Sequence, residues 1–213
     1  MRSGAAEPTT VKEMLRAARG LVFDFDGTLV DSNPIKRKAF EACFEGFPKR
    51  EEILSYCLNH HPIPRGEKFR HVIEDILAMP YTSEWERKLN QRFEELTTTQ
   101  IVQAPALQGV EPFLRRAQRS HRCAVLSSTP HEILCAILRR RGWAELFYVI
   151  RGAPVVKEDW LKEFARDQSF PPPNLIFFGD TAEDAASAKE AGCGFIQVDT
   201  HFDFSRCTDA LHS

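Results

Sequence analysis

Leu21-Val-Phe-Asp24-Phe-Asp26-Gly27-Thr28-Leu-Val-Asp31 places two carboxylates two positions apart, where an apolar run stops and a glycine lets the chain turn. Two later apolar runs end in the same way. Cys123-Ala-Val-Leu126 leads into Ser127-Ser128-Thr129, and Leu175-Ile-Phe-Phe178 leads into Gly179-Asp180, with Asp184 four positions on. In open α/β sheets ligands bind beyond the carboxyl ends of the strands. Three apolar strands that each run into polar groups therefore predict one rim of one sheet as the working surface.

The rest of the chain fits a sheet of that kind. Thr10 before Val11–Arg19, with Gly20 behind it, predicts an N-capped helix with a glycine stop, and a strand at 21–24 follows. From Pro34 to about Val110 the apolar residues fall at helical spacing. Phe69, Val72, Ile73, Ile76 and Leu77 form one amphipathic stripe. Helix and strand signals then alternate: helix 110–119, strand 122–126, helix 130–141, strand 146–150, helix 157–166, strand 175–178, helix 182–191 stopped by Gly192, and strand 195–198. Such alternation predicts a parallel sheet covered by helices on both faces. Residues 200–213 read as a polar tail.

Composition narrows the partners. Of 213 residues, 43% are hydrophobic and 27% charged, the balance of an ordinary globular chain. The 28 Lys+Arg against 30 Asp+Glu leave a net charge of −2, so no general field recruits nucleic acid or an anionic membrane. A small molecule is the expected partner. No apolar run approaches the roughly 18 residues that span a bilayer, and the first twenty residues do not form a signal sequence, so the expected location is the cytoplasm. Cys43, Cys57, Cys123, Cys135, Cys193 and Cys207 include no Cys-x-x-Cys pair and read as small buried hydrophobes or free thiols. Trp85, Trp143 and Trp160 read as packing residues. The adjacent His60 and His61 diverge on any regular backbone and lack a third ligand nearby, so they read as a surface loop rather than a metal site.

Asp24-Phe-Asp26-Gly27-Thr28 followed by Leu29-Val30-Asp31 resembles the first motif of the haloacid dehalogenase-like hydrolase superfamily in its phosphatase form. The other motifs follow in order. Ser127 matches the second, Lys157 the third, and Gly179-Asp180 with Asp184 the acidic fourth. Many relatives carry Lys-Pro where this chain has Lys157-Glu158, and Lys162 is the alternative lysine. The resemblance covers 20–33 and about 110–199. Within 60–71, Pro64-Arg65-Gly-Glu-Lys68-Phe69 is similar to a Ser-Arg-x-x-Lys-Phe element of the phosphoglycolate phosphatase-like branch, with proline replacing the serine.

The resemblance implies an α/β fold with a three-layer Rossmann-like core around a central parallel sheet, formed by 1–33 and 110–213, and an inserted all-helical cap domain at 34–109. It implies a phosphatase acting on a small phosphorylated metabolite such as a sugar phosphate or phosphoglycolate, as a monomer or homodimer. Asp24 would be the nucleophile and Asp26 the acid and then base, with Ser127 and Lys157 completing the catalytic set. Thr28, Ser127, Ser128, Lys157, Arg65 and Lys68 would bind substrate. Mg2+ would be held by Asp24, Asp26 through its main-chain oxygen, Asp180 and Asp184, hard oxygen donors that suit this ion. An acid at position 26 favours phosphoryl over haloacid chemistry. The competing expectations are a sugar-phosphate mutase, a phosphonate-cleaving enzyme using a Schiff-base lysine among Lys36, Lys38, Lys49 and Lys68, and a non-catalytic interaction module.

Overall fold

A computed structural model describes residues 10–59 and 63–211. Helix α1 (Val11–Ala17) opens with Thr10 and Glu13 in a reciprocal capping box. Strand β1 (Gly20–Phe23) follows, then helices α2 (Asn33–Cys43), α3 (Arg50–Asn59), α4 (Arg65–His71), α5 (Ser83–Gln103) and α6 (Val110–Ala117). After them come β2 (Arg122–Pro130), α7 (His131–Arg140), β3 (Val149–Ala153), α8 (Lys157–Asp167), β4 (Leu175–Gly179), α9 (Ala182–Ala191) and β5 (Gly194–Gln197). The strands form one sheet in the order β3-β2-β1-β4-β5, with every pairing parallel. This is the predicted α/β architecture.

The order matters more than the count. β1 lies at the centre, paired to β2 on one side and β4 on the other, with Phe23 level with both Val125 and Phe178. The three strands that end in polar motifs are therefore immediate neighbours, and their ends open on one rim.

All four residues of β1 are buried, as a parallel sheet covered on both faces requires. Leu21 and Phe23 face a cluster with Leu15, Phe113, Phe147 and Phe204, while Val22 faces another with Leu126, Leu161, Phe164 and Phe177. Phe23 stacks on Phe178 with ring centroids 4.8 Å apart. The helices between β1 and α6 bury a third cluster of their own, around Phe40, Phe44, Ile53, Phe69, Val72, Ile73 and Phe93. Two strands of chain connect that helical segment to the sheet, and they run side by side. The Asp31 N–H donates to Pro105 O at 3.0 Å, and the Leu107 N–H donates to Leu29 O at 3.2 Å. From α7's end, Arg141 Nη1 donates to the carbonyls of Ile101, Val102 and Ala104 at 2.8–2.9 Å, tying down the C-terminus of α5.

Local expectations fail where longer-range contacts intervene. β1 begins at Gly20, which is not a helix stop; α1 ends at Ala18 in extended geometry because Gly20 is already paired with Arg122 and Leu175. The stripe from Phe69 to Leu77 is not one α-helix: α4 passes into a π-helix at Val72–Ile76. The short strand expected at 146–150 lies at Val149–Ala153, after a 3-10 turn at Ala144–Leu146. Residues 200–211 are not merely a polar tail. A 3-10 helix at Phe204–Ala210 buries Phe204, Cys207 and Ala210, with Phe204 packed against Phe113 and Phe178. His60 and His61 lie outside the described residues. Among the described residues, no helix is long and apolar enough to cross a membrane.

Candidate active site

Asp24 stands immediately beyond β1, with its N–H donating to Phe178 O at 2.8 Å, so the sheet itself orients it. The chain bends at Phe25 and turns through Gly27 at φ 79°, a left-handed conformation that favours glycine. Space makes the same demand: a Cβ at Gly27 would collide with the Asp180 carboxylate and the Asn33 amide. Gly179 serves likewise at the end of β4, where a Cβ would strike the Asp184 side chain. Both glycines thus let carboxylates from separate elements approach.

Asp24, Asp180 and Asp184 each bring an oxygen to within 4.8 Å of the others. Lys157, the first residue of α8, places Nζ 2.9 Å from Asp24 Oδ1 and 2.6 Å from Asp184 Oδ1. Asp184 is also the partner of Thr181 in a capping box at the start of α9. Asn33, at the start of α2, donates to Asp180 Oδ2 at 3.1 Å. Burial pushes Asp24 up to about 8; Lys157 opposes the shift, while Asp184, Asp180 and Asp26 add to it. Burial likewise raises Asp180, against the Asn33 hydrogen bond. Burial alone would lower Lys157, but Asp24 and Asp184 hold its proton and raise it. An all-oxygen donor set with more negative charge than one lysine offsets fits a divalent Mg2+.

Asp26 has a different environment. Its Oδ1 accepts from Ser32 Oγ at 2.6 Å, and its Oδ2 from Thr129 Oγ1 at 2.7 Å and Lys36 Nζ at 2.6 Å. Burial would raise Asp26, yet Lys36, with the Ser32 and Thr129 hydroxyls, holds it below the ordinary carboxylate value. Two aspartates two residues apart are thus pushed in opposite directions, the pattern that separates roles in acid–base chemistry.

These groups line one cavity of about 540 Å3 between the sheet rim and the helices after β1. Asp24, Asp26, Ser127, Ser128, Lys157, Asp180, Asp184, Arg65 and Lys68 all line it. Thr28 does not; it is fully buried and its hydroxyl has no partner. Lys162 is remote, paired with Glu190 on the surface at 3.0 Å. Arg65 is engaged by Asn90 and Glu94, at 2.9 and 2.8 Å. Four further residues stand at the site: Lys36, which the sequence offers only among the candidate Schiff-base lysines, Asn33, Ser32 and Thr129. The signal for the first three was their place one helical turn after the Asp26 loop, at the Asn33-Pro34 helix start; for Thr129 it was the run of hydroxyls behind β2.

Residues 21–198 match the model of the family described as haloacid dehalogenase-like hydrolase. A phosphoglycolate phosphatase of Synechococcus elongatus is 25% identical over 187 residues, covering 84% of this chain and 83% of that protein. Among solved structures, a protein described as a predicted phosphoglycolate phosphatase from Haemophilus somnus superposes with a TM-score of 0.68 at 16% identity, covering 90% of this chain and 91% of the other. CbbY from Rhodobacter sphaeroides, solved with phosphate, gives 0.67 at 23% identity, over 88% and 91%.

Proposed function

The chain belongs to the haloacid dehalogenase-like hydrolase family, and from that membership we propose a Mg2+-dependent phosphatase that hydrolyses a small phosphomonoester through an aspartyl-phosphate. The observation that carries this reading is the meeting of Asp24, Asp180 and Asp184 with Lys157 at adjacent strand ends, with the separately held Asp26 in the same cavity. The names of the relatives place phosphoglycolate among the esters to be tried.

Asp24 attacks phosphorus, forming the bond to the enzyme as the bond to the alcohol oxygen breaks. Asp26, taking up a proton once the Lys36 contact that keeps it ionised is released, gives that proton to the departing oxygen and then takes one from the water that hydrolyses the aspartyl-phosphate. For either transfer one of its three donors must yield to the reacting oxygen. Lys36 is the donor carried by α2, beyond the turn, whereas Thr129 belongs to β2. Lys157 and the Ser127 hydroxyl hold phosphoryl oxygens, with Ser128 at the same rim. Asp24, Asp180 and the Asp26 main-chain oxygen, with Asp184 in support, would hold Mg2+, which would neutralise charge where an anionic nucleophile meets an anionic ester.

Residues 34–109 act as a cap over the core formed by 1–33 and 110–213, with Arg65 and Lys68 on its substrate side. Such a lid excludes water and limits the size of the ester. The test is phosphate release from a panel of small esters, with and without EDTA, comparing the wild type with Asp24→Asn. Equal release by the two proteins removes Asp24 as nucleophile and the proposal with it.

A further inference from the structure

Asp24, Asp180 and Asp184 converge in the cavity, and each already accepts from a neighbouring donor. Lys157 donates to Asp24 Oδ1 at 2.9 Å and to Asp184 Oδ1 at 2.6 Å. Asp184 Oδ2 accepts from the Thr181 hydroxyl at 2.7 Å, so both of its oxygens are engaged. Asp180 is held from elsewhere. Its Oδ2 accepts from the Asn33 amide at 3.1 Å, a bond that joins residues 147 positions apart. Gly27 makes room for that pair: a Cβ there would stand 2.5 Å from Asn33 Nδ2 and would collide with Asp180 Oδ2. The main chain of Asp180 is anchored separately, by Gln197 Nε2 donating to its carbonyl at 2.8 Å.

The carboxylate of Asp180 is therefore oriented by α2, whose other side packs Ala39, Phe40 and Cys43 into the helical cluster. At the start of that helix Ser32 and Lys36 hold Asp26, while Asn33 reaches the converging acids. A carboxylate fixed through one oxygen meets a cation through the other. Mg2+ demands near-ideal octahedral geometry, whereas Ca2+ accepts irregular shells and carboxylates that clasp it with both oxygens. Groups that orient a metal ligand from behind govern affinity through that orientation. We infer that Asn33 is a positioning residue for the metal site: it fixes Asp180 through one oxygen, presents the other to the cation, and so gives the site a preference for Mg2+ over Ca2+. The inference rests on the metal site of the proposed function and assigns its selectivity to a residue outside the ligand set.

The experiment is calorimetric titration of the metal-free full chain with Mg2+ and with Ca2+, for wild type, Asn33→Ala and Asn33→Leu. Asn33 is exposed, so the alanine variant removes no core packing, and leucine keeps much of the volume without the amide. Wild type is expected to bind Mg2+ more tightly than Ca2+. Both variants are expected to weaken Mg2+ about tenfold and to change Ca2+ by less than about threefold. A merely structural role would weaken both cations alike. An equal loss for the two cations, no loss of Mg2+ affinity, or a wild type that prefers Ca2+ overturns the inference. Failure of wild type to bind either cation removes the metal site of the proposed function as well, whereas binding with an unchanged Mg2+ to Ca2+ ratio in the variants removes this inference alone.

Discussion

Lys36 Nζ lies 2.6 Å from Asp26 Oδ2, so the first helix after the Gly27 turn grips a carboxylate that stands just past the central strand. They stand ten positions apart in the chain, and the pair spans the junction between the sheet and the helical segment. Position of the helices and charge state of Asp26 are therefore linked.

Replacing Lys36 by Met should cost about 1–3 kcal/mol at neutral pH, since it leaves a largely buried carboxylate with hydroxyl partners only. The sign of its pH dependence follows from Asp26, whose folded value is lowered from 3.8. Its stabilisation is fully present above that unfolded value and is lost as pH falls through the lower folded one. Urea midpoints of the two proteins should differ most at neutral pH and draw together as pH falls into the acid range.

Asp24→Asn should lower phosphate release by at least a thousandfold, yet make the metal-free protein less sensitive to pH. Folded Asp24 keeps its proton to about 8, against 3.8 as the ordinary value, so this group removes stability as pH rises between the two. Lys157, whose folded value is raised above 10.5, contributes fully throughout that window and adds no slope. Urea titrations without metal at pH 5 and pH 8 check this: the wild type should lose more stability between them than the variant.

Removal of metal by EDTA should abolish phosphate release. Mg2+ at a hundred times its Kd should stabilise the protein by about 2.7 kcal/mol, read as a rise in Tm. Asp180→Asn should lose that rise, because it withdraws one of three converging carboxylates.

Arg141→Met should destabilise by about 1–3 kcal/mol, since three carbonyls at the end of α5 lose their shared donor. Arg141→Lys should restore part of the loss. Denaturant unfolding of the three proteins measures both effects.

Thr28→Val should change stability by less than about 1 kcal/mol and leave kcat/KM within a fewfold. The Thr28 hydroxyl is buried without a partner, so little is lost with it. A large loss of activity in this variant would return Thr28 to the substrate-binding set.

Periodicity and motif chemistry lay within the sequence. Alternating strand and helix patterns identified the parallel α/β core, and the polar groups behind three apolar runs marked Asp24, Ser127 and Asp180, because strand ends and their loops are local features. Which strands are neighbours is not local, and only the order β3-β2-β1-β4-β5 put those ends side by side. The same holds for the partners of the two lysines: Lys157 reaches Asp24 across 133 positions, and Lys162 pairs with Glu190. Lys36 read only as one of four candidate Schiff-base lysines and Thr129 as part of a hydroxyl run behind β2, until the turn at Gly27 brought Asp26 between them. Residues after 200 looked polar because their few apolar side chains meet a core supplied by Phe113 and Phe178. A chain's periodicity specifies which side of each element seeks burial; what that side meets depends on contacts between residues far apart, and here such contacts move Asp24 and Lys157 up and Asp26 down.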